Sequence, residues 1–174
     1  MHWNNIEIKA HCPDPTAIHH WLQANNADHR GLDHQIDTYF KVPNGRLKLR
    51  EGNIECALIH YHRPDQTGPK HSDIRYYKPN ESADLKQALT AALGVWVVVD
   101  KQRHIYFIDQ VKFHVDEVQG LGSFLEIEAI DYDGSLGLEQ LQAQCAHYQQ
   151  ALGIAPADLI AVSYSDLLNA QGTG

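Results

Sequence analysis

The sequence predicts an α+β fold in which strands outnumber helices, and three observations carry that expectation. Most of the chain reads as short β-rich runs, only three segments repeat their apolar residues at helical spacing, and several runs alternate ionic with strongly hydrophobic side chains. The chain has 174 residues, 43% of them hydrophobic and 21% charged, which suits one domain with one core.

From the N-terminus, Asn4 to His11 alternates, with Asn5, Glu7 and Lys9 on one face and Ile6, Ile8 and Ala10 on the other. Asp14-Pro15 then opens a helix with Ile18, Trp21 and Leu22 on one side, running to about Asn25. After a polar loop, His34 to Phe40 predicts a strand, Pro43-Asn44-Gly45 a turn, and Arg46 to Glu51 the next strand. Ile54 to Arg63 is β-rich, the segment from Pro64 to Lys70 breaks it, and Asp73 to Tyr77 resumes it as the second arm of a long hairpin. Ser82 caps a second helix carrying Leu85, Leu89 and Leu93, closed by Gly94. Val95 to Arg103, His104 to Val118 and Phe124 to Tyr132 are further β-rich runs. Leu138, Leu141, Cys145, Tyr148 and Leu152 mark a third helix before Gly153, Ser163 to Leu168 predicts a short turn, and Gln171 to Gly174 a frayed end.

Composition narrows function. Fourteen Lys and Arg against 22 Asp and Glu leave a net charge of −8, which argues against general binding to nucleic acid or anionic lipid. No apolar run is long enough to span a bilayer, and the start has no secretory pattern, so the expected location is the cytoplasm. Cys12, Cys56 and Cys145 are too scattered for a disulfide framework or a metal knuckle, and the twelve histidines show no zinc spacing.

The charged strand faces admit two readings. Arg46, Lys48 and Arg50 oppose Leu47 and Leu49; Lys112, His114 and Asp116 oppose Val111, Phe113 and Val115; Glu126 and Glu128 oppose Leu125 and Ile127. One reading is a sheet with a solvated face. The other is a closed sheet with a polar interior and helices outside, in which inward cations call for a polyanion and inward carboxylates for a hard divalent cation such as Mg²⁺ or Mn²⁺. Together these suggest a metal-bound polyphosphate.

Five blocks in order resemble the CYTH superfamily of triphosphate tunnel metalloenzymes, which joins class IV adenylyl cyclases and thiamine triphosphatases. Asn5-Ile6-Glu7-Ile8-Lys9 is similar to its opening ExExK strand, with Asn5 in place of the first Glu. The others are Asp37 to Phe40 (DTYF), Gly45 to Glu51 (GRLKLRE), Lys101 with Arg103 (KxR), and Asp116 to Glu128, while Leu152 to Ile154 with Ser163-Tyr164 resembles the cyclase branch. The resemblance implies a closed eight-stranded antiparallel barrel enclosing a tunnel. It also implies metal-binding carboxylates at Glu7, Glu126 and Glu128 and triphosphate contacts at Lys9, Lys48, Arg50, Lys101, Arg103 and Lys112.

Lys9, Asp116 and His62 are the catalytic candidates, His62 because it is aligned with a tunnel lysine that precedes a proline in relatives. Asn5 favours one metal over two. The expected cofactor is Mg²⁺ or Mn²⁺ and the expected partner a triphosphate-containing small molecule such as ATP or polyphosphate; a homodimer, frequent in the cyclase branch, is left open. The implied reaction is conversion of ATP to cyclic AMP and pyrophosphate, with triphosphate hydrolysis and polyphosphate binding without turnover as alternatives.

Overall fold

A computed structural model of the protein describes residues 2–63 and 65–172. Its strands are β1 (His2–His11), β2 (Asp28–Phe40), β3 (Arg46–Gly52), β4 (Cys56–His62), β5 (Lys70–Tyr77), β6 (Val95–Ile108), β7 (Val111–Val118) and β8 (Gly122–Asp131). They close into an antiparallel barrel in the order β1-β5-β4-β3-β2-β6-β7-β8, so the closed reading of the charged faces holds. The helices are α1 (Pro15–Ala24), α2 (Ala83–Leu93), α3 (Gly137–Ala151) and α4 (Tyr164–Gly172). None of these helices is long and apolar enough to cross a membrane.

Closure puts one apolar cluster between the barrel wall and the helices α1 and α3. Ile6 and Ile8 of β1, Phe113 and Val115 of β7, and Leu125 and Ile127 of β8 face outward and are buried beneath α1 and α3, which contribute Leu22, Leu141 and Cys145. The intervening strand positions therefore point into the barrel, where apolar neighbours are fewer and charge must be matched by charge. A second cluster lies on the inward side of the wall, where Tyr39, Val99, Val118 and Phe124, in the same strand phase as Asp37, Lys101, Asp116 and Glu126, meet Ile160 and Tyr164, with Leu167 and Leu168 of α4 against it.

The structure departs from the expected elements where backbone conformation outweighs side-chain pattern. β2 begins at Asp28 instead of His34: Gly31, at φ +121°, lets the strand shift register between His29 and Gly31 and keep pairing with β6. β6 runs through His104 to Ile108, and the break falls at Asp109-Gln110, with Asp109 in the left-handed region at φ +52°. β5 starts at Lys70, three residues early. The turn expected at Ser163 to Leu168 belongs to α4, which continues through Gln171 to Gly172. The last two residues of the expected frayed end lie outside the described residues, as does Pro64 in the expected break.

Leu141 is fully buried where α3 meets β1 and β8. Leu141→Ala is expected to destabilise the protein by about 2–5 kcal/mol in urea unfolding, through lost transfer energy and a residual cavity.

Candidate functional site

The barrel encloses a cavity of about 350 Å³. It is lined by eight of the chain's fourteen Lys and Arg but by only five of its 22 Asp and Glu. Strand alternation delivers these groups, since Glu7 and Lys9, Lys48 and Arg50, Lys101 and Arg103, Lys112 and His114, and Glu126 and Glu128 are each two residues apart on one strand.

One cluster centres on Asp37 of β2. Its carboxylate accepts from Lys48 Nζ at 2.8 Å, Arg50 Nε and Nη2 at 2.8 and 2.9 Å, and Lys101 Nζ at 2.7 Å. Burial opposes ionisation of Asp37, but Arg50, Lys101 and Lys48 outweigh it and hold the carboxyl well below the usual range. One carboxylate cannot neutralise three cations, and a guanidinium does not surrender its proton, so a lysine yields. Burial, reinforced by Arg50, Arg103 and Lys48 against the pull of Asp37, brings Lys101 down to about 7.

A second cluster centres on Glu126 of β8. It pairs with Lys9 Nζ at 3.0 Å and Arg103 Nη2 at 2.9 Å, and accepts from His114 Nδ1 at 3.1 Å. Burial would raise this carboxyl, but Lys9 and Arg103 keep it well below its ordinary value. Burial, with Arg103 and Lys112 nearby, pushes His114 down to about 3, so its ring is neutral at physiological pH. Arg103 is gripped from behind by Asp116 at 2.7 and 2.5 Å, and Tyr164 Oη donates to the same carboxylate at 2.8 Å. Lys9 Nζ lies 3.6 Å from the centre of the Tyr164 ring.

The third group involves Glu55, in the turn between β3 and β4. Glu55 accepts from Arg50 Nη1 at 2.9 Å and pairs with Lys112. Buried Asp33 shapes the turn by accepting from the backbone N–H groups of Ile54 and Glu55 at 2.8 and 3.0 Å. Gly52 is required there, because a Cβ would meet an Asp33 carboxylate oxygen and the Glu55 carbonyl oxygen, each at 2.7 Å.

Glu7 and Glu128 are directly opposed across β1 and β8, and both line the cavity. Arg63 pairs with Glu7, and the Asn5 amide donates to Glu128. Burial raises the Glu128 carboxyl against the pull of Lys112, and Glu7 adds to the rise. Two crowded carboxylates beside the unpartnered Oδ1 of buried Asn5 make an all-oxygen donor set that suits a hard divalent cation.

The structure brings Lys9, Lys48, Arg50, Lys101, Arg103 and Lys112 to the cavity wall, with Glu7, Glu126 and Glu128 among them. It does not join the three glutamates: Glu126 is occupied by cations, and no three His, Cys, Asp or Glu groups among the described residues converge on one ion position. Asp116 stands behind Arg103 and does not line the cavity. His62 is misplaced by one residue. The inward phase of β4 is Ala57, Ile59, Tyr61, so His62 is exposed outside and Arg63 enters the cavity. The signal was available, because Arg63 itself immediately precedes Pro64. Glu55 carries no signal in the sequence because it lies in a turn, where alternation gives no direction.

The CYTH domain family matches residues 4–164. No curated protein matches the sequence. Among solved structures, a protein of Pyrococcus horikoshii is 23% identical, covering 94% of this chain and 98% of its own, with a TM-score of 0.72. A candidate adenylate cyclase of Vibrio parahaemolyticus is 17% identical, with coverages of 94% and 97% and a TM-score of 0.76. A candidate adenylyl cyclase of Hippeastrum, described as having a dominant triphosphatase activity, is 16% identical, with coverages of 97% and 96% and a TM-score of 0.61.

Because the folded Lys101 titrates near 7 and an unfolded lysine near 10.5, the folded protein binds fewer protons across that interval and this lysine makes stability rise with pH. Thermal unfolding between pH 7 and 9 is expected to show that contribution as a difference in slope: Lys101→Met lowers the gain in Tm with pH relative to the unsubstituted protein. Identical slopes would contradict the lowered value.

Proposed function

The chain belongs to the CYTH domain family, and from that membership we propose that it is a metal-dependent enzyme that holds a triphosphate inside its barrel and converts ATP to cyclic AMP and pyrophosphate. The observation that carries this reading is the charge inversion between the whole chain, at −8, and its cavity, where eight cationic side chains face five carboxylates. A linear polyanion with a metal ion is the ligand that such an interior suits.

Lys48 and Arg50, with Arg103 and Lys112, supply the charge that holds the phosphate chain, and binding transfers them in part from Asp37, Glu55 and Glu126 to phosphate oxygens. Glu7 and Glu128 would hold the divalent cation, which supplies neutralisation of charge developing on the phosphates. In the cyclase reaction, the ribose 3′ oxygen attacks the α-phosphorus, the bond from that phosphorus to the pyrophosphate oxygen breaks, and the hydroxyl proton must leave. Lys101, neutral over part of its titration near pH 7, is suited to take that proton. Asp116 acts through Arg103 as a positioning residue.

Triphosphate hydrolysis is the second reading. Water replaces the ribose hydroxyl as nucleophile and the terminal phosphorus is attacked, with the same side chains in use. It is favoured by the Hippeastrum protein, which shares the fold and is described with a dominant triphosphatase activity.

A panel of ATP, GTP, tripolyphosphate and thiamine triphosphate with Mg²⁺ or Mn²⁺ separates the two. Cyclic AMP with pyrophosphate is the expected outcome; orthophosphate alone makes the protein a triphosphatase; binding without product makes it a polyphosphate-binding module. Arg50→Ala and Lys48→Ala are each expected to weaken tripolyphosphate binding about tenfold or more, and unchanged affinity in both would remove the tunnel assignment. Arg63→Ala is expected to impair turnover and His62→Ala to leave it unchanged, measured as kcat/KM on whichever substrate is consumed.

A further inference from the structure

Outside the barrel, three imidazoles and a phenol gather where β2 meets β6 beside α1. In register, His29 of β2 stands opposite Tyr106 of β6, and His104, two residues before Tyr106, shares their outer face as a diagonal neighbour. His29 stacks on the Tyr106 ring with centroids 4.3 Å apart, and its Nε2 lies 3.2 Å from Nδ1 of His104. His19 of α1 meets His104 edge-on, with centroids 4.6 Å apart, and its Nδ1 is engaged by Tyr106 Oη at 2.8 Å. His19 and His104 are half-buried, and His29 is exposed. No spacing in the sequence announces the pair of facing nitrogens, which belong to residues 75 positions apart.

His34 pairs with Asp100 and His114 with Glu126, but none of these three rings is paired with a carboxylate among the described residues. Protonated together they would repel one another. Burial, with His29 and His20 near His19 and with His19 and His29 near His104, holds both His19 and His104 below the ordinary imidazole value. The cluster thus favours neutral rings, the form that ligates metal. A shared N–H accounts for the 3.2 Å contact, but that bond asks for only one imidazole and would be met as well by an amide or a hydroxyl. The same separation is the span of two nitrogens on one ion, since metal–nitrogen bonds of about 2.0–2.1 Å at square to tetrahedral angles set the nitrogens about 2.9–3.4 Å apart. We propose that His29 Nε2 and His104 Nδ1 form a two-imidazole site for a borderline divalent transition ion such as Zn²⁺. No third His, Cys, Asp or Glu joins them among the described residues, so water completes the shell. His19 is not a ligand, because its Nδ1 is held by Tyr106; it packs the edge of the His104 ring and orients it. Nitrogen donors distinguish this site from the oxygen donors of the cavity, where Mg²⁺ and Mn²⁺ belong, and the inference does not depend on what the barrel holds.

Zn²⁺ titration of the full chain tests the site, with Mg²⁺ in excess to occupy the oxygen donors of the cavity. Long-range ¹H–¹⁵N spectra of the imidazoles read the ligands directly and need no variant. Zn²⁺ is expected to shift His29 Nε2 and His104 Nδ1 and to leave both nitrogens of His19 in place. His29→Ala and His104→Ala are each expected to raise the Zn²⁺ Kd about tenfold or more, whereas His60→Ala, on the far side of the barrel wall, leaves it unchanged. Circular dichroism of each variant without metal confirms that it is folded. Absence of a Zn²⁺-dependent shift at His29 Nε2 and His104 Nδ1 overturns the proposal and leaves the contact as a hydrogen bond. A Kd unchanged in both alanine variants overturns it too, by placing the bound Zn²⁺ on other histidines or cysteines.

Discussion

The ion pairing of the barrel interior is the constraint on which the rest of the structure depends. Closing eight strands removes every free edge but turns one face of each strand toward a confined space. With charged groups placed there, each must find a counter-charge or lose its own. Asp37 and Glu126 act as hubs, each engaging three nitrogen-bearing side chains, while Lys101 and His114 absorb the surplus by giving up positive charge. The outer apolar layer under α1 and α3 complements that interior, while the apolar side chains that do face inward gather in a separate cluster around Tyr39, Val99, Val118 and Phe124.

Such an interior is stable yet ready for exchange. A carboxylate holding several cations can be replaced as their partner by an anion with more oxygens, so under the proposed function Asp37, Glu55 and Glu126 keep the cation array in a form that a phosphate chain would take over. The supports of the array are kept apart from the exchange. Asp116, outside the lining, grips Arg103 and is itself held by the Tyr164 hydroxyl, and Asp33 with Gly52 shapes the turn that presents Glu55.

Much of this was legible in the sequence because a strand has a period of two. Glu7 with Lys9, Lys48 with Arg50, and Lys101 with Arg103 announce an inner face by alternation, and the resemblance supplied the number of strands that closes it. Legibility failed where that period gives no direction or is counted one residue out. His62 and Arg63 differ by a single step, which exchanges the inside of the barrel for the outside. The early start of β2 depends on what Gly31 permits the backbone to do, and the β6–β7 break depends on Asp109 adopting a left-handed conformation that composition does not reveal. The orphaned oxygens of Asn5 and Ser72 were beyond reach for a different reason, since the two residues are 67 positions apart and only the register of β1 with β5 makes them neighbours.

The pairing of β1 also sets an order of events during synthesis. β1 leaves the ribosome before the other seven strands of the barrel, yet its partners are β5 and β8, and the contact between Asn4 and Asp131 cannot form until β8 has been made. Until then the strand has an uncovered edge and an outer row of Ile6, Ile8 and Ala10 that would favour pairing with another nascent chain. Glu7 and Lys9 put opposite charges on the other face of the same strand. The side chains set into the finished tunnel therefore also serve, for the length of translation, to make the waiting strand a poor template for aggregation.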